Sequence, residues 1–421
     1  MRYAIVGCGS RHRMFRTALT STYADRHQLV ALCDSNAVRL NLSLAEAPGA
    51  VGYPAADYNR MLAEQRPDVV IVTTPDHTHA GYILPALHAG CDVICEKPLA
   101  TTPEDISAIM AAERDTGRRV TVAFNYRYAP ARTQIRQLLA AGTIGTVTAV
   151  DFRWNLDQIH GADYFRRWHR IKGNSGGMLV HKASHHFDLL NWWLATTPTD
   201  VTATGTRRFY TDATARQMDL SDHGDRCATC PALPRCGLAL RLAEDPNLHA
   251  LYQTAEAEDG YLRDRCVFAP EVEIEDTYQA HIRYASGASC NYTLITYAPW
   301  EGLEVRFTGT LGELTHRHTE VHGIFGGLHR VKMPDQEIME TTLHLTGQAP
   351  QPIAIPPASG GHGGADPLML DDLFLPRNAV DTDGRASNGA AGAWAILTGI
   401  AAGRAIDSRQ PQDIAALFAA L

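Results

Sequence analysis

Over the first 123 residues, short apolar runs ending in glycine or polar turns alternate with longer stretches of helical period. "RYAIVGCGSRHRMFRTAL" opens on an apolar run, turns at Gly7-Cys8-Gly9 and continues as a helix. "QLVALCDSN" is a second run, ending at Asp34. "DVVIVTTP" is apolar at consecutive positions, as a parallel strand buried on both faces would be. "HTHAGYILPALHAG" then reads as a helix closing at Gly90, "CDVICEKP" as a strand, "TTPEDISAIMAAERDTG" as a helix and "RRVTVAFNYR" as a further strand. Strands alternating with helices predict a doubly wound parallel sheet with its ligand at the strands' carboxyl ends. Those ends carry Gly7, Asp34, Thr74-Pro75, Glu96-Lys97-Pro98 and Asn125.

From about residue 146 the period shortens to two. "TVTAVDFRWNL", "DVTATGTRRF", "EVEIEDTYQAHIRYASGASCNYTLITYA" and "LEVRFTGTLGELTHR" predict a largely antiparallel sheet with one covered face. The last helices, "ASNGAAGAWAILTGIAAGRAID" and "DIAALFAAL", are alanine-rich and suit close packing against a neighbour. The fold class predicted is α/β: an N-terminal Rossmann domain over 1–123, then an α+β domain with a large, mostly antiparallel sheet over 124–421. The second unit would carry substrate binding and oligomerisation.

A length of 421 residues agrees with two domains. With 45% hydrophobic and 20% charged residues the chain is globular, and a net charge of −8 argues against nucleic acid or an anionic membrane as partner. No apolar run approaches the ~20 residues that cross a bilayer. Met1 leads directly into a buried-strand pattern without a signal-peptide arrangement, so a cytoplasmic location is expected.

The glycine turn suits a dinucleotide. Gly7 permits the tight turn, and Gly9 lets the backbone approach a pyrophosphate at the helix N-terminus, where Ser10 and Arg11 follow. His12 occupies the place of a third glycine. Asp34, 27 residues after Gly7, stands where a ribose-binding acid belongs. Its carboxylate would accept from the ribose hydroxyls and repel a 2′-phosphate, favouring NAD over NADP. The alternative is an aspartate that caps the next helix. Thr74, Pro75, His79, Glu96, Lys97 and Asn125 complete the candidate cofactor residues.

"GGMLVHKASHHFDLLNWW", residues 176–193, concentrates histidines. Read as one helix, it puts His181, His185 and Asp188 at i, i+4 and i+7 on one face. That face could hold a metal, move protons, or be packed by satisfied polar groups. A catalytic metal at His181 and His185 lacks H-E-x-x-H and an obvious third ligand; His362 in "SGGHGGADPLML" is the best remote candidate.

Taken together, the glycine turn, strand-end Asp34, "TTPDHTHA", "CEKPLA", "FNYRYAP" and "GGMLVHKASHHFD" resemble, in order and spacing, the Gfo/Idh/MocA oxidoreductases. The later "FTGTLGELTH" and the C-terminal helix are similar too. The resemblance implies an NAD(P)-dependent enzyme acting on sugars, cyclitols and related polyols, with a sheet domain that often forms dimers or tetramers. It implies that Lys97 contacts the substrate hydroxyl and nicotinamide region and that His185 is the acid/base. It also exposes departures: an aspartate of the family motif is His181 here, and a glycine is Ala183. The "GGHGG" loop resembles a substrate loop of the family's glycoside-acting members.

The chemistry agrees. Oxidising a secondary alcohol sends hydride to a nicotinamide and the hydroxyl proton to a base, for which histidine is suited. A nearby ammonium stabilises developing alkoxide charge. His181 is expected to hydrogen-bond substrate or pack the helix, His186 to be structural, Asp188 to orient a neighbour and Lys182 to face cofactor or solvent. The expected function is hydride transfer between NAD and a hydroxyl of a sugar, sugar derivative or cyclitol. The alternative is glycoside cleavage through transient ring-hydroxyl oxidation and elimination. A non-enzymatic sugar or dinucleotide sensor is a third reading.

Five of the nine cysteines sit singly or in strand-like runs. Cys227, Cys230, Cys236 and Cys266 cluster in a polar insertion over 213–268, a candidate lid or subunit contact. They suggest a closed structural zinc site, with a four-thiolate iron-sulfur cluster as alternative and His223 as a substitute for Cys266. Arg166, Arg167, Trp168, His169 and Arg170 form a basic, aromatic cluster suited to a sugar cleft or to surface pairing.

Overall fold

A computed structural model of the chain describes residues 1–320, 338–376 and 381–421. The first sheet holds six parallel strands: β1 (Arg2–Val6), β2 (Gln28–Asp34), β3 (Val51–Pro54), β4 (Val69–Val72), β5 (Asp92–Cys95) and β6 (Val120–Val122), in the order β3-β2-β1-β4-β5-β6. The central β4 is buried along its whole length, which is why its sequence is continuously apolar. Strand order reverses between β1 and β4. The loops after these two strands therefore diverge and leave a crevice at their carboxyl ends. The sequence reading missed β3: "VGYP" buries only Tyr53 and carries both glycine and proline.

The second sheet has nine strands: β7 (Val147–Asp157), β8 (Pro198–Thr206), β9 (Thr277–Tyr284), β10 (Ser289–Ala298), β11 (Glu301–Gly309), β12 (Gly312–Glu320), β13 (Ile338–Leu345), β14 (Gln351–Pro352) and β15 (Gln412–Asp413). Their order is β14-β13-β12-β11-β7-β10-β9-β8-β15. Among the described residues, only the central β7–β10 pair of this sheet is parallel. Alternate residues of β9, namely Tyr278, Ala280, Ile282 and Tyr284, are buried while those between them face outward. The buried face is covered by helices that include Ser184–Leu194 and Gly389–Ser408.

Gly389–Ser408 corrects one expectation. This 20-residue helix is long and apolar enough to cross a bilayer by length and composition. It lies inside the fold instead, mostly buried against β8 and the Ser184–Leu194 helix. Its Gly399 permits the close approach, because a Cβ there would stand 2.3 Å from the Leu179 carbonyl oxygen.

Candidate active site

The β1 turn is built around Gly7. Its φ of +91° and the Thr73-Thr74 backbone, 2.8 Å from where a Cβ would stand, exclude any side chain. A Cβ on Gly9 would meet nothing within 4 Å, so its side of the turn is open. His12 lies just behind the turn. Its buried ring engages the Gly9 carbonyl through Nδ1 and Ser43 Oγ through Nε2 (2.9 Å). Burial holds His12 down at about 4 and hence neutral. Both of its nitrogens are thereby used to tie the turn to the helix Ala37–Ala45.

Asp34 closes the other side of the turn. Its carboxylate accepts from the Cys8 N–H (2.5 Å) and the Asn36 N–H (2.7 Å). Burial raises its pKa, and the two N–H donors oppose that shift. The cap of the following helix is Asn36, which accepts from Val38 and Arg39, so Asp34 is not the helix cap. The 213–268 segment docks directly over this edge. Tyr252 OH accepts from the Ser10 N–H (3.4 Å), Asn36 Nδ2 donates to the Ala255 carbonyl (3.0 Å), and Arg39 pairs with Asp259.

At the ends of β4 and β5, Thr74 and Pro75 lead into a turn where Thr78 Oγ1 donates to Thr74 Oγ1 (2.7 Å). Buried His79 lies within 2.8 Å of the Pro98 carbonyl and 3.0 Å of the Thr74 carbonyl, pinning the two loops together. Glu96 pairs with Arg11 (2.5 Å), linking the β5 end to the glycine turn. At the end of β6, Asn125 Nδ2 donates to Asp366 (2.7 Å), which also engages His362 (2.8 Å). Asn125 Oδ1 is buried with no hydrogen-bond partner among the described residues. The loop bearing His362 thus reaches the crevice, with the His362 ring 5.9 Å from that of Tyr126.

The histidine-rich stretch folds as two helical pieces, Met178–His181 and Ser184–Leu194. Its polar residues consequently part company. His181 faces Lys97: Nζ donates to the His181 carbonyl (3.1 Å) and lies 3.3 Å from Nε2. On the other edge of the ring, Nδ1 lies 2.5 Å from Asp76 Oδ2. His185 stacks on Tyr126 with centroids 4.3 Å apart, and its buried Nδ1 has no hydrogen-bond partner among the described residues. Asp188 instead forms a buried ion pair with Arg127, and His186 bonds Tyr292 OH (2.7 Å). Lys182 points inward, donating to Tyr126 OH (3.1 Å). The sequence reading had His181, His185 and Asp188 on one face; the structure separates Asp188 from the pair.

Burial is the dominant electrostatic influence. It lowers Lys97 to about 8, against the opposing pull of Asp76 and Glu96. It holds His181 and His185 well below the usual histidine range, aided in each case by the Lys97 charge, so both rings are neutral near pH 7. It pushes Asp76 up, while Lys97 and Arg167 pull it back down. Of the basic, aromatic cluster, Trp168 and His169 flank His181, with centroids 5.8 and 4.1 Å away. Arg170 turns off to Glu271 (2.7 Å).

Asp76, Tyr126 and Tyr164, whose ring stands 5.5 Å from His181, were not singled out from the sequence. A signal existed for Asp76: it directly follows Thr74-Pro75 at a strand's carboxyl end.

The metal expectations gain no support. Among the described residues no three His, Cys, Asp or Glu side chains are grouped so as to hold a metal ion, at His181 and His185 or at the cysteines. Cys227, Cys230, Cys236 and Cys266 are free thiols lining a cavity of about 20 Å³, with His223 Nδ1 3.5 Å from Cys266 Sγ. The segment has other sources of order. Leu240, Leu242, Leu248, Leu251 and Tyr252 form an apolar cluster of their own, and Arg226 pairs with Glu256 (2.5 Å) and Asp264 (2.8 Å). The closed zinc or iron-sulfur site was invoked for want of such a core.

Two family models match the chain. Residues 1–124 fit the Gfo/Idh/MocA oxidoreductase family, NAD-binding Rossmann fold, and residues 136–413 fit that family's C-terminal alpha/beta domain. The YteT protein of Bacillus subtilis (strain 168) is 34% identical over 432 residues, covering 98% of each chain. Inositol 2-dehydrogenase of Rhizobium meliloti (strain 1021) is 29% identical over 205 residues, which is 48% of this chain and 58% of that enzyme. Among solved structures, the WlbA dehydrogenase from Bordetella pertussis in complex with NADH and UDP-GlcNAcA superposes with a TM-score of 0.65 at 18% identity, covering 98% of both chains. That last likeness is one of fold.

Proposed function

The chain belongs to the Gfo/Idh/MocA oxidoreductase family, and from that premise we propose that it moves a hydride between NAD and a secondary hydroxyl of a sugar, sugar derivative or cyclitol. The observation that carries the reading is the contact of Lys97 with His181 at the carboxyl end of the first sheet, with buried His185 near enough to be acted on by the Lys97 charge. One of the named relatives, the inositol 2-dehydrogenase, acts on a cyclitol.

The residues present fit a dinucleotide. The open side of Gly9 leaves room for a pyrophosphate, with Gly7, Ser10 and Arg11 around it. Asp34 would take the ribose hydroxyls and disfavour a 2′-phosphate, while Arg39, the nearby cation that could welcome one, is paired with Asp259. Thr74, Pro75, Glu96, Lys97 and Asn125 would face the nicotinamide end, where the orphaned Asn125 Oδ1 offers an acceptor. His12 and His79 shape the site from behind, since their ring nitrogens are already engaged. When bound, NAD supplies the hydride acceptor.

The chain's own part is positioning and proton transfer. Neutral His185, with an unpartnered nitrogen, takes the hydroxyl proton. Lys97 as ammonium stabilises the oxygen as charge develops on it. His181 holds Lys97 in place and is available to a substrate hydroxyl. As the resemblance implies, the outward face of the nine-stranded sheet would join copies of the chain into a dimer or tetramer. The test is NADH absorbance from purified protein, NAD and a panel of free sugars, sugar derivatives and cyclitols.

One observation favours a second reading, glycoside cleavage with the hydride returned to the same sugar. Elimination needs additional proton transfer, and the His362–Asp366 pair (2.8 Å) reaches the crevice through Asn125. Release of an aglycone without net NADH would mark it.

A further inference from the structure

We propose that Asp76 is a positioning residue for this reaction: through His181 it fixes Lys97, supplying from the β4 end the carboxylate that position 181 lacks. The inference rests on the hydride-transfer reading above and deepens it.

The geometry is a line of three groups. Asp76 Oδ2 lies 2.5 Å from His181 Nδ1, and His181 Nε2 lies 3.3 Å from Lys97 Nζ. Asp76 and His181 are 105 residues apart in sequence, so the contact joins the two domains across the crevice. Asp76 and His181 are buried and Lys97 is half-buried, which strengthens each interaction and makes an unmatched donor costly.

Donor and acceptor roles follow from this order. An ammonium has only donors, so the nitrogen facing Lys97 must carry a lone pair. That places the imidazole proton on Nδ1, where the Asp76 carboxylate accepts it. Lys97 is then held by two acceptors on one residue, Nε2 and the His181 carbonyl, leaving a third N–H for the substrate oxygen. With Asp76 neutralised, only the Lys97 ammonium would still disfavour the other tautomer, whose Nε2–H would confront it. An imidazole oriented by a buried carboxylate is a known solution to this problem.

The surroundings allow this state. The groups that face Asp76 and His181 are Lys97 and Glu96 from the β5 end, Tyr164 and Arg167 at the end of the helix Gln158–Arg166, His169, Lys182 and His79. Burial and the Glu96 charge push the Asp76 carboxyl up, Lys97 and Arg167 pull it back toward the carboxylate, and Asp76 in turn raises the Lys97 pKa.

The experiment has two readouts on the full chain with NAD bound. Nitrogen-15 NMR of histidine-labelled protein, with the His181 signals assigned by their loss in His181→Gln, reads the tautomer whether or not a substrate is known. Wild type should show the proton on Nδ1, and Asp76→Asn should lower the share of that tautomer in favour of Nε2–H. In the second readout, Asp76→Asn should lower kcat on the order of 100-fold with NAD affinity unchanged. Its alkaline limb should move to lower pH, because Lys97 loses a neighbouring negative charge. A purely structural aspartate would change stability without moving that limb. A wild-type His181 protonated on Nε2, or an Asp76→Asn enzyme with an unshifted pH profile, overturns the proposal. A wild type inactive on every substrate overturns the hydride-transfer reading, while the NMR readout still decides the relay.

Discussion

His181 Nε2 stands 3.3 Å from the Lys97 ammonium, so an imidazole fills the place beside this lysine where the family resemblance leads one to expect a carboxylate. The consequence is a site in which neutral rings stand beside the Lys97 ammonium, with the charges of Asp76, Glu96 and Lys182 close enough to act on it. Its pH behaviour should report that arrangement.

Burial lowers Lys97 to about 8. If its ammonium stabilises the reacting oxygen, kcat/KM for oxidation should fall as pH rises through about 8. An unshifted lysine would hold its charge to about 10.4. Lys97→Ala should remove the limb and lower kcat/KM on the order of 100- to 1000-fold, with NAD binding retained. Steady-state rates between pH 6 and 10, as an approximate span, check both points.

His185→Ala should lower kcat on the order of 100- to 10,000-fold while NAD still binds. The ring also stacks on Tyr126, so some stability is lost as well. Calorimetric titration of NAD beside the kinetics separates a missing base from an unfolded site.

Asp34→Ala should narrow the preference for NAD over NADP, read as the ratio of their Kd values. It should also cost about 1–3 kcal/mol in stability, because the Cys8 and Asn36 N–H groups lose their acceptor. Asp259→Ala should narrow the same preference by leaving Arg39 only its longer contact with Asp34 (3.8 Å), although Asp259 lies more than 200 residues further along the chain.

Asp188→Ala should destabilise the fold by roughly 3–5 kcal/mol, since it leaves the Arg127 guanidinium buried and unmatched. Urea unfolding measures the loss. With enough folded enzyme present, kcat should change far less than in His185→Ala.

What was legible in the sequence was what local pattern determines. β4 announces itself because a strand buried on both faces is apolar throughout, β5 because it is apolar after Asp92, and the motifs at their ends mark the crevice. β3 escaped because an edge strand with one buried side chain has no such pattern. Lys97, His181 and His185 were recognisable as candidates, yet their geometry was not. A single helix was assumed where two pieces put Asp188 against Arg127. Asp76 reads locally as a turn residue after Pro75, and only the fold brings His181 to it. The C-x2-C spacing with two further cysteines suggested a metal, and the Leu240–Tyr252 cluster went unseen because its leucines are scattered without strong period. For the same reason, the docking of Tyr252 on the glycine turn had no sequence signal.

The central claim, that this crevice oxidises a hydroxyl at the expense of NAD, is tested most directly by mixing the purified chain with NAD and a panel of sugars, cyclitols and glycosides. NADH absorbance and aglycone release would be recorded together. The account expects NADH in step with consumption of a free sugar, sugar derivative or cyclitol, abolished in His185→Ala. Neither NADH nor aglycone from any member of the panel, in a protein that binds NAD tightly, would contradict it.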